Sequence, residues 1–337
     1  MRFYRLRFPS ALHVDSRGSG APESIDEHLR SDTLSAALCL AWSAIFEKDK
    51  GVFLKPPFLV SSAFPYIDDI FLFPVPAWPI WEDASLALRK QVKSIHWLSE
   101  DLFRQLLDGR RLYFRQCVLL PGGLAVSEEE AACRPALKGR QVFSLTERQR
   151  VLVDRFGVAP DGGLFFFALQ FFDHGAGLYF LADGAPSVLP KLRAALTFLG
   201  DSGLGADRNS GLGHFTILDE GEINLGMSAG DGGWMTLSLF NPGADDSIED
   251  LTERCAYKLT TRSGWISGST MGRAPVRVFG EGAFFASRPK GRILPTLPTG
   301  VQATLGIDIG HEAPRDFRAL AVPCAMPQWF KEQDHVK

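Results

Sequence analysis

Residues 2–8 alternate between two sides, with Tyr4, Leu6 and Phe8 on one and Phe3, Arg5 and Arg7 on the other. That period of two predicts a half-buried β-strand. A polar segment, 10–30, then leads to Ser31-Asp32-Thr33-Leu34, and residues 34–46 are apolar nearly all round. The pattern predicts a helix buried against a sheet, with Ser31 or Asp32 as its N-cap. The proline-rich stretch 55–79 excludes regular helix. Residues 86–107 return to helical spacing, interrupted near Ser99, which is placed to cap a second short helix ending at Gly109. Between 112 and 146 a strand-like run, a Pro121-Gly122-Gly123 turn, acidic residues 128–130 and a polar return predict a hairpin insertion.

Strand candidates follow at 163–172 and 178–182, joined by a turn over 173–177. Leu189, Leu192, Leu196 and Leu199 then mark a helix ended by Gly200. Further strands are predicted at 215–218, 234–240, 257–261, 277–286 and 318–322. Strands on both sides of single helices, with hairpin excursions, imply an α+β chain of ferredoxin-like modules and not a doubly wound sheet. A length of 337 residues suits two domains, divided as 1–150 (with the hairpin at about 112–146) and 151–337.

Composition narrows the class. Hydrophobic residues at 45% and charged residues at 22% describe a globular chain, and 26 Phe gathered in short runs favour buried strands. The net charge of −3 supplies no global field for a polyanion. Any nucleic acid must be held by local groups such as Arg5/Arg7, Lys138/Arg140 or Arg148/Arg150/Arg155. Five scattered cysteines without a CxxC pair fit a reducing cytoplasm and argue against a disulfide framework or a zinc site. No signal peptide is expected at the N-terminus, and the longest apolar runs are too short to span a bilayer, so a cytoplasmic location without membrane contact is expected.

The most distinctive chemistry is the glycine-rich stretch from Gly200 to Phe215, with Gly203, Gly205, Gly211 and Gly213 around Arg208-Asn209-Ser210. It lacks the Gly-Lys-Ser/Thr ending of a Walker loop. It also follows a helix and opens a strand, the reverse of a dinucleotide fingerprint. What the residues do predict is a loop that lets another backbone approach, with donors at its apex able to hold a sugar-phosphate chain without reading bases. The N-terminus of the 31–46 helix is a second place for a phosphate, set against the plainer reading of a well-capped helix. His13, Asp15, His28 and His214 are candidate acid–base groups, but none has an obvious partner in the sequence.

Four stretches together resemble the RAMP superfamily of CRISPR proteins, and most closely the fourth subunit of type III-A Csm effector complexes. They are the N-terminal strand with Leu12-His13-Val14 and Ser31-Asp32-Thr33-Leu34; residues 150–157; the glycine-rich loop; and Gly280-Glu281-Gly282-Ala283-Phe284-Phe285 with the 318–323 strand. The sequence departs from that pattern at Asp15, Arg30 and Val151, where Gly, His and Asn are common in the family. The resemblance implies two RRM-like (ferredoxin-like) domains, no cofactor or metal, and no catalysis. It implies a subunit that binds the 5′ handle of the CRISPR RNA and caps the foot of the complex. Its neighbours would be the large polymerase/cyclase subunit and the adjacent backbone RAMP subunit. The 112–146 hairpin would act as a thumb near the target RNA. Expected RNA contacts are His13, Arg17, Ser31, Asp32 and Thr33; Arg150 and Arg155; and, around the loop, Gly203, Gly205, Arg208, Asn209, Ser210, Gly211 and His214. The alternatives are a guide-processing RAMP endoribonuclease and the equivalent subunit of a Cmr-type complex.

Overall fold

The computed structural model describes residues 1–15, 22–26, 29–49, 51–83, 85–153, 163–225, 232–266, 272–295 and 313–330. Arg17, His28 and Arg155 lie outside the described residues. The chain opens with β1 (Arg2–Arg7), α1 (Ser31–Ile45), β2 (Phe58–Val60), β3 (Phe64–Ile67) and β4 (Ile70–Pro74). Then come α2 (Arg89–Lys93), β5 (Trp97–Ser99), α3 (Glu100–Leu107), β6 (Cys117–Leu120), β7 (Leu124–Ser127) and α4 (Glu128–Cys133). The middle holds β8 (Phe143–Val151), β9 (Leu164–Phe172), β10 (Ala176–Gly184), α5 (Leu189–Ser202) and β11 (Thr216–Glu222). The last part holds β12 (Gly233–Thr236), α6 (Ile248–Glu253), β13 (Cys255–Ala256), β14 (Leu259–Arg262), β15 (Val276–Phe279), β16 (Phe284–Phe285), β17 (Gly291–Leu294), β18 (Arg315–Arg318) and β19 (Ala321–Cys324).

The α+β expectation holds. A nine-stranded sheet runs β11-β1-β10-β3-β4-β5-β7-β6, with β2 also paired to β10. Its first four strands are all antiparallel neighbours. With α1 and α5 they give a βαββαβ unit: β1, α1, β2/β3, β10, α5, β11. β10 lies at its centre and is apolar on both faces. Leu178, Phe180 and Ala182 pack with α1 and α5 around Tyr4, Leu6, Leu38 and Leu196. Tyr179 and Leu181 pack the other way, with Phe64, Phe73, Trp97 and Phe284. Burial on two sides explains why this segment reads as an unbroken apolar run and not as an alternating one.

The long insertion between β3 and β10 separates in sequence two strands that pair in space. A division at 150/151 therefore falls within the β8–β9 hairpin, and β10, α5 and β11 complete the same sheet as β1. The hairpin expected within 112–146 exists as β6–β7, but it forms the outer edge of the large sheet, with Leu124, Ala125 and Val126 in the core. It is not an extension, because its apolar face is spent on the body. A longer two-stranded ribbon is β8–β9, nine residues in each strand, joined to the 11–14 segment by a bridge between Gln170 and Leu12. Leu145, Val151, Leu164 and Phe166 on it are exposed.

Beyond β11 a four-stranded sheet, β13-β16-β12-β19, and the ribbons β14–β15 and β17–β18 complete the described structure. The expected strands at 277–286 and 318–322 are each cut in two, the first by a turn through Gly282 at φ 74°. Helix α5 passes through Gly200 to Ser202; a Cβ at Gly200 would stand 2.4 Å from the Phe215 carbonyl oxygen. That glycine admits β11's lead-in and does not stop the helix. Among the described residues no helix is long and apolar enough to cross a membrane, and no group of His, Cys, Asp or Glu could hold a metal ion.

Candidate nucleic-acid interface

The glycine-rich loop follows α5 in the βαββαβ unit, and its glycines admit the protein's own backbone. A Cβ on Gly205 would lie 2.2 Å from the His13 carbonyl oxygen, and one on Gly213 would lie 1.8 Å from that of Leu204. Both residues have positive φ, 89° and 70°, so a side chain is disfavoured twice over. The contacts are hydrogen-bonded: Ala206 N–H donates to His13 O at 2.9 Å and Gly213 N–H to Ala11 O at 2.8 Å. Between these anchors Arg208–Ser210 form a single 3₁₀ turn, and Arg208, Asn209, Ser210 and Gly211 are exposed at the apex. His214 is half-buried just behind.

His13 is correspondingly out of reach of a ligand. It is 2% exposed, its Nδ1–H donates to the Ala168 carbonyl at 2.7 Å, and its ring lies 4.3 Å from that of Phe167. The imidazole ties the 11–14 segment to β9. Arg150, on β8, pairs with Asp207 of the loop and sets its guanidinium 4.1 Å over the Phe167 ring. Its charge is thus engaged within the protein, and it fastens the ribbon to the loop.

The start of α1 also differs from its expected cap. The N-cap is Arg30, and no side chain caps the helix. Ser31 is buried and serves a neighbouring segment instead: its hydroxyl accepts Leu239 N–H at 3.0 Å, while its own N–H donates to Ser62 Oγ at 2.9 Å. Asp32 is 6% exposed and accepts two hydrogen bonds from Arg262, at 2.9 and 3.2 Å, with Arg315 Nη2 3.6 Å away. Burial alone would push this carboxyl up, but Arg262 and Arg315 outweigh it and hold Asp32 below the usual range. Arg30, the family departure, is bound to Asp26 and Glu281. These pairs stitch α1 to the C-terminal strands.

Loop, helix and C-terminal segments enclose a cleft of about 440 Å³. Gly203, Gly205 and Arg208 line it from the loop, Asp32, Thr33 and Leu40 from α1, and Phe198 from α5. The chain after β14 adds Trp265, Arg273 and Arg315. Trp265, Leu40 and Phe198 stay 50%, 49% and 42% exposed, giving flat apolar surface beside cations. That pairing suits a nucleic-acid strand, whose bases stack while its phosphates seek guanidinium groups. Of the expected contacts, the fold gathers Asp32, Thr33, Gly203, Gly205 and Arg208 here. It leaves Asn209, Ser210 and Gly211 at the rim of the loop, and buries His13 and Ser31 behind it. Trp265, Phe198, Arg273 and Arg315 carry no local motif, and only the folded chain brings them to the cleft.

This fold is shared with subunits of type III CRISPR assemblies. A chain of the Csm3–Csm4 subcomplex of the type III-A interference complex superposes with a TM-score of 0.65 at 17% identity, covering 96% of this chain and 99% of that one. A chain of the Csm1–Csm4 cassette bound to cA4 gives 0.55 at 17% identity, over 97% and 99%. More particularly, residues 230–305 match the family model of the CRISPR Csm4 C-terminal domain. The CRISPR system Cms protein Csm4 of Mycobacterium tuberculosis, in strains CDC 1551 and H37Rv, is 28% identical over 305 residues, 87% of this chain and 90% of that protein. The chain is Csm4-like, as the resemblance of its motifs implied.

Proposed function

We propose that this chain is a non-catalytic subunit of a type III CRISPR effector complex that grips the 5′ handle of the CRISPR RNA in the cleft beside Arg208. The observation that carries the reading is the cleft itself, where exposed apolar rings and arginines converge under a loop held rigid by the 11–14 segment. In this role the subunit caps the foot of the complex and docks the large polymerase/cyclase subunit and the adjacent backbone subunit. Support comes from the likeness to chains solved in Csm1–Csm4 and Csm3–Csm4 assemblies. The thumb beside the target RNA is then the β8–β9 ribbon and not β6–β7.

The absence of catalysis is part of the proposal. His13 is committed to a carbonyl, and His214 has no acid–base partner among the described residues. Arg208→Ala with Asn209→Ala should lower affinity for handle RNA about tenfold, as expected for loss of one or two charge-assisted contacts. Unchanged affinity would count against the placement in this cleft. Metal-independent cleavage of repeat RNA by the purified chain, lost in His214→Ala, would make it a processing ribonuclease instead.

A further inference from the structure

Two of the cleft's arginines come from outside the βαββαβ unit: Arg273 has no carboxylate in ion-pair range among the described residues, and Arg315 shares Asp32 with Arg262. Arg315 is 6% exposed. Its Nη1 donates to the Ala274 carbonyl at 3.2 Å, while its Nη2 makes no hydrogen bond and stands 3.6 Å from Asp32 Oδ2. Both oxygens of Asp32 already accept from Arg262. Arg273 donates to the carbonyls of Ala313 at 2.6 Å and Trp265 at 3.4 Å, with no carboxylate in ion-pair range among the described residues. Arg262 and Arg315 thus share Asp32, Arg262 also stands 3.8 Å from Asp26, and Arg273 has neither carboxylate in ion-pair range.

We infer that Arg273 and Arg315 form an oxyanion subsite that takes one phosphodiester group, next to Thr33 at the start of α1. The inference rests on the cleft being the RNA site and says how that site is divided: the glycine loop grips from one structural unit and the arginine pair from another. A buried cation without a counter-charge is costly, and a singly charged phosphodiester supplies acceptors for two forked guanidiniums. The positive end of the 15-residue helix α1, whose Ser31 N–H is already taken by Ser62 Oγ, favours the same charge. The crowding shows in the cations themselves: burial, with Arg315 alongside, pushes Arg273 down to about 10. Burial lowers Arg315 as well, with Arg262 adding to it and Asp32 opposing.

Inorganic phosphate, titrated into the full chain at constant ionic strength, is the first probe. The thermal midpoint should rise and saturate, and Arg273→Gln should remove the saturable part. Stabilisation by exclusion of phosphate from the surface is unsaturable and identical in both proteins; seeing only that overturns the subsite. Should Arg273→Gln fail to fold, Arg273→Lys, which keeps the charge and loses the fork, is read in the same way. The second probe is handle RNA carrying single neutral methylphosphonate linkages. One linkage should weaken binding to the native chain about tenfold and be silent in the Arg273 variant, the signature of a coupled pair. RNA binding that depends on Arg208 with no linkage coupled to Arg273 overturns the subsite and leaves the cleft assignment standing. RNA binding indifferent to Arg208 and Arg273 alike overturns both.

Discussion

Asp32 shows how one residue can be conspicuous in a sequence while its task stays hidden. Its place at the head of an apolar helix marked it as a cap or a phosphate neighbour, yet its carboxylate is the shared counter-ion of Arg262 and Arg315, more than two hundred residues away. Spacing rules report what is within a turn or two, so such a pair is invisible to them. Because the folded carboxyl is held below its ordinary value of 3.8, its contribution to stability is complete above about 3.8 and is lost as the pH falls through the lower, folded value. Asp32→Asn should cost about 3–5 kcal/mol near neutral pH, since it strands buried guanidiniums. The gap from the native chain should narrow in acid. Urea unfolding between about pH 2 and pH 7 checks this; an equal gap at both ends would mean that the carboxylate charge is not what Arg262 and Arg315 need.

At the scale of elements, the legible parts were those whose signal is local. Strand β1, helix α1 and the 189–199 stripe were readable because their periodicity is carried by a few neighbouring side chains. The hairpin expected within 112–146 lies at a sheet edge, and the pairing of residues 143–151 with β9 carries no local signal, because the choice between extension and sheet edge depends on what each apolar face meets. The glycine loop was legible as a loop needing close approach, but the approaching backbone is residues 11–14. This gives two glycines of one loop opposite fates. Gly213→Ala forces a Cβ against the Leu204 carbonyl and should unseat the loop, costing more than about 3 kcal/mol. At Gly211, also at positive φ (84°), nothing stands within 4 Å, so alanine there carries only backbone strain of about 1 kcal/mol. Thermal melts of the two variants, with hydrogen exchange at Ala206 and Gly213 N–H, separate them. Equal losses would contradict the anchoring of the loop.

Across the whole molecule the net charge of −3 leaves attraction for RNA to whatever cations remain uncommitted. Several arginines, among them Arg5, Arg140 and Arg150 of the basic clusters, are neutralised in place. Arg2 pairs with Glu220, Arg5 with Asp219, Arg134 with Asp69, and Arg140 with Asp68. In the cleft, Arg208 and Arg273 have no carboxylate partner among the described residues, and Arg315 shares Asp32 with Arg262. Single-stranded nucleic acid releases about 0.7 counterion for each phosphate neutralised. Three cleft arginines therefore predict a slope near −2 for the logarithm of the association constant against that of salt concentration. Arg208→Ala should flatten it by about 0.7. Fluorescence anisotropy with handle RNA over a salt series gives the number directly. A slope steeper than about −5 would place many more phosphates on the protein than the cleft can meet, and the grip would then have to extend along the exposed β8–β9 ribbon, where Arg148 projects beside Phe171.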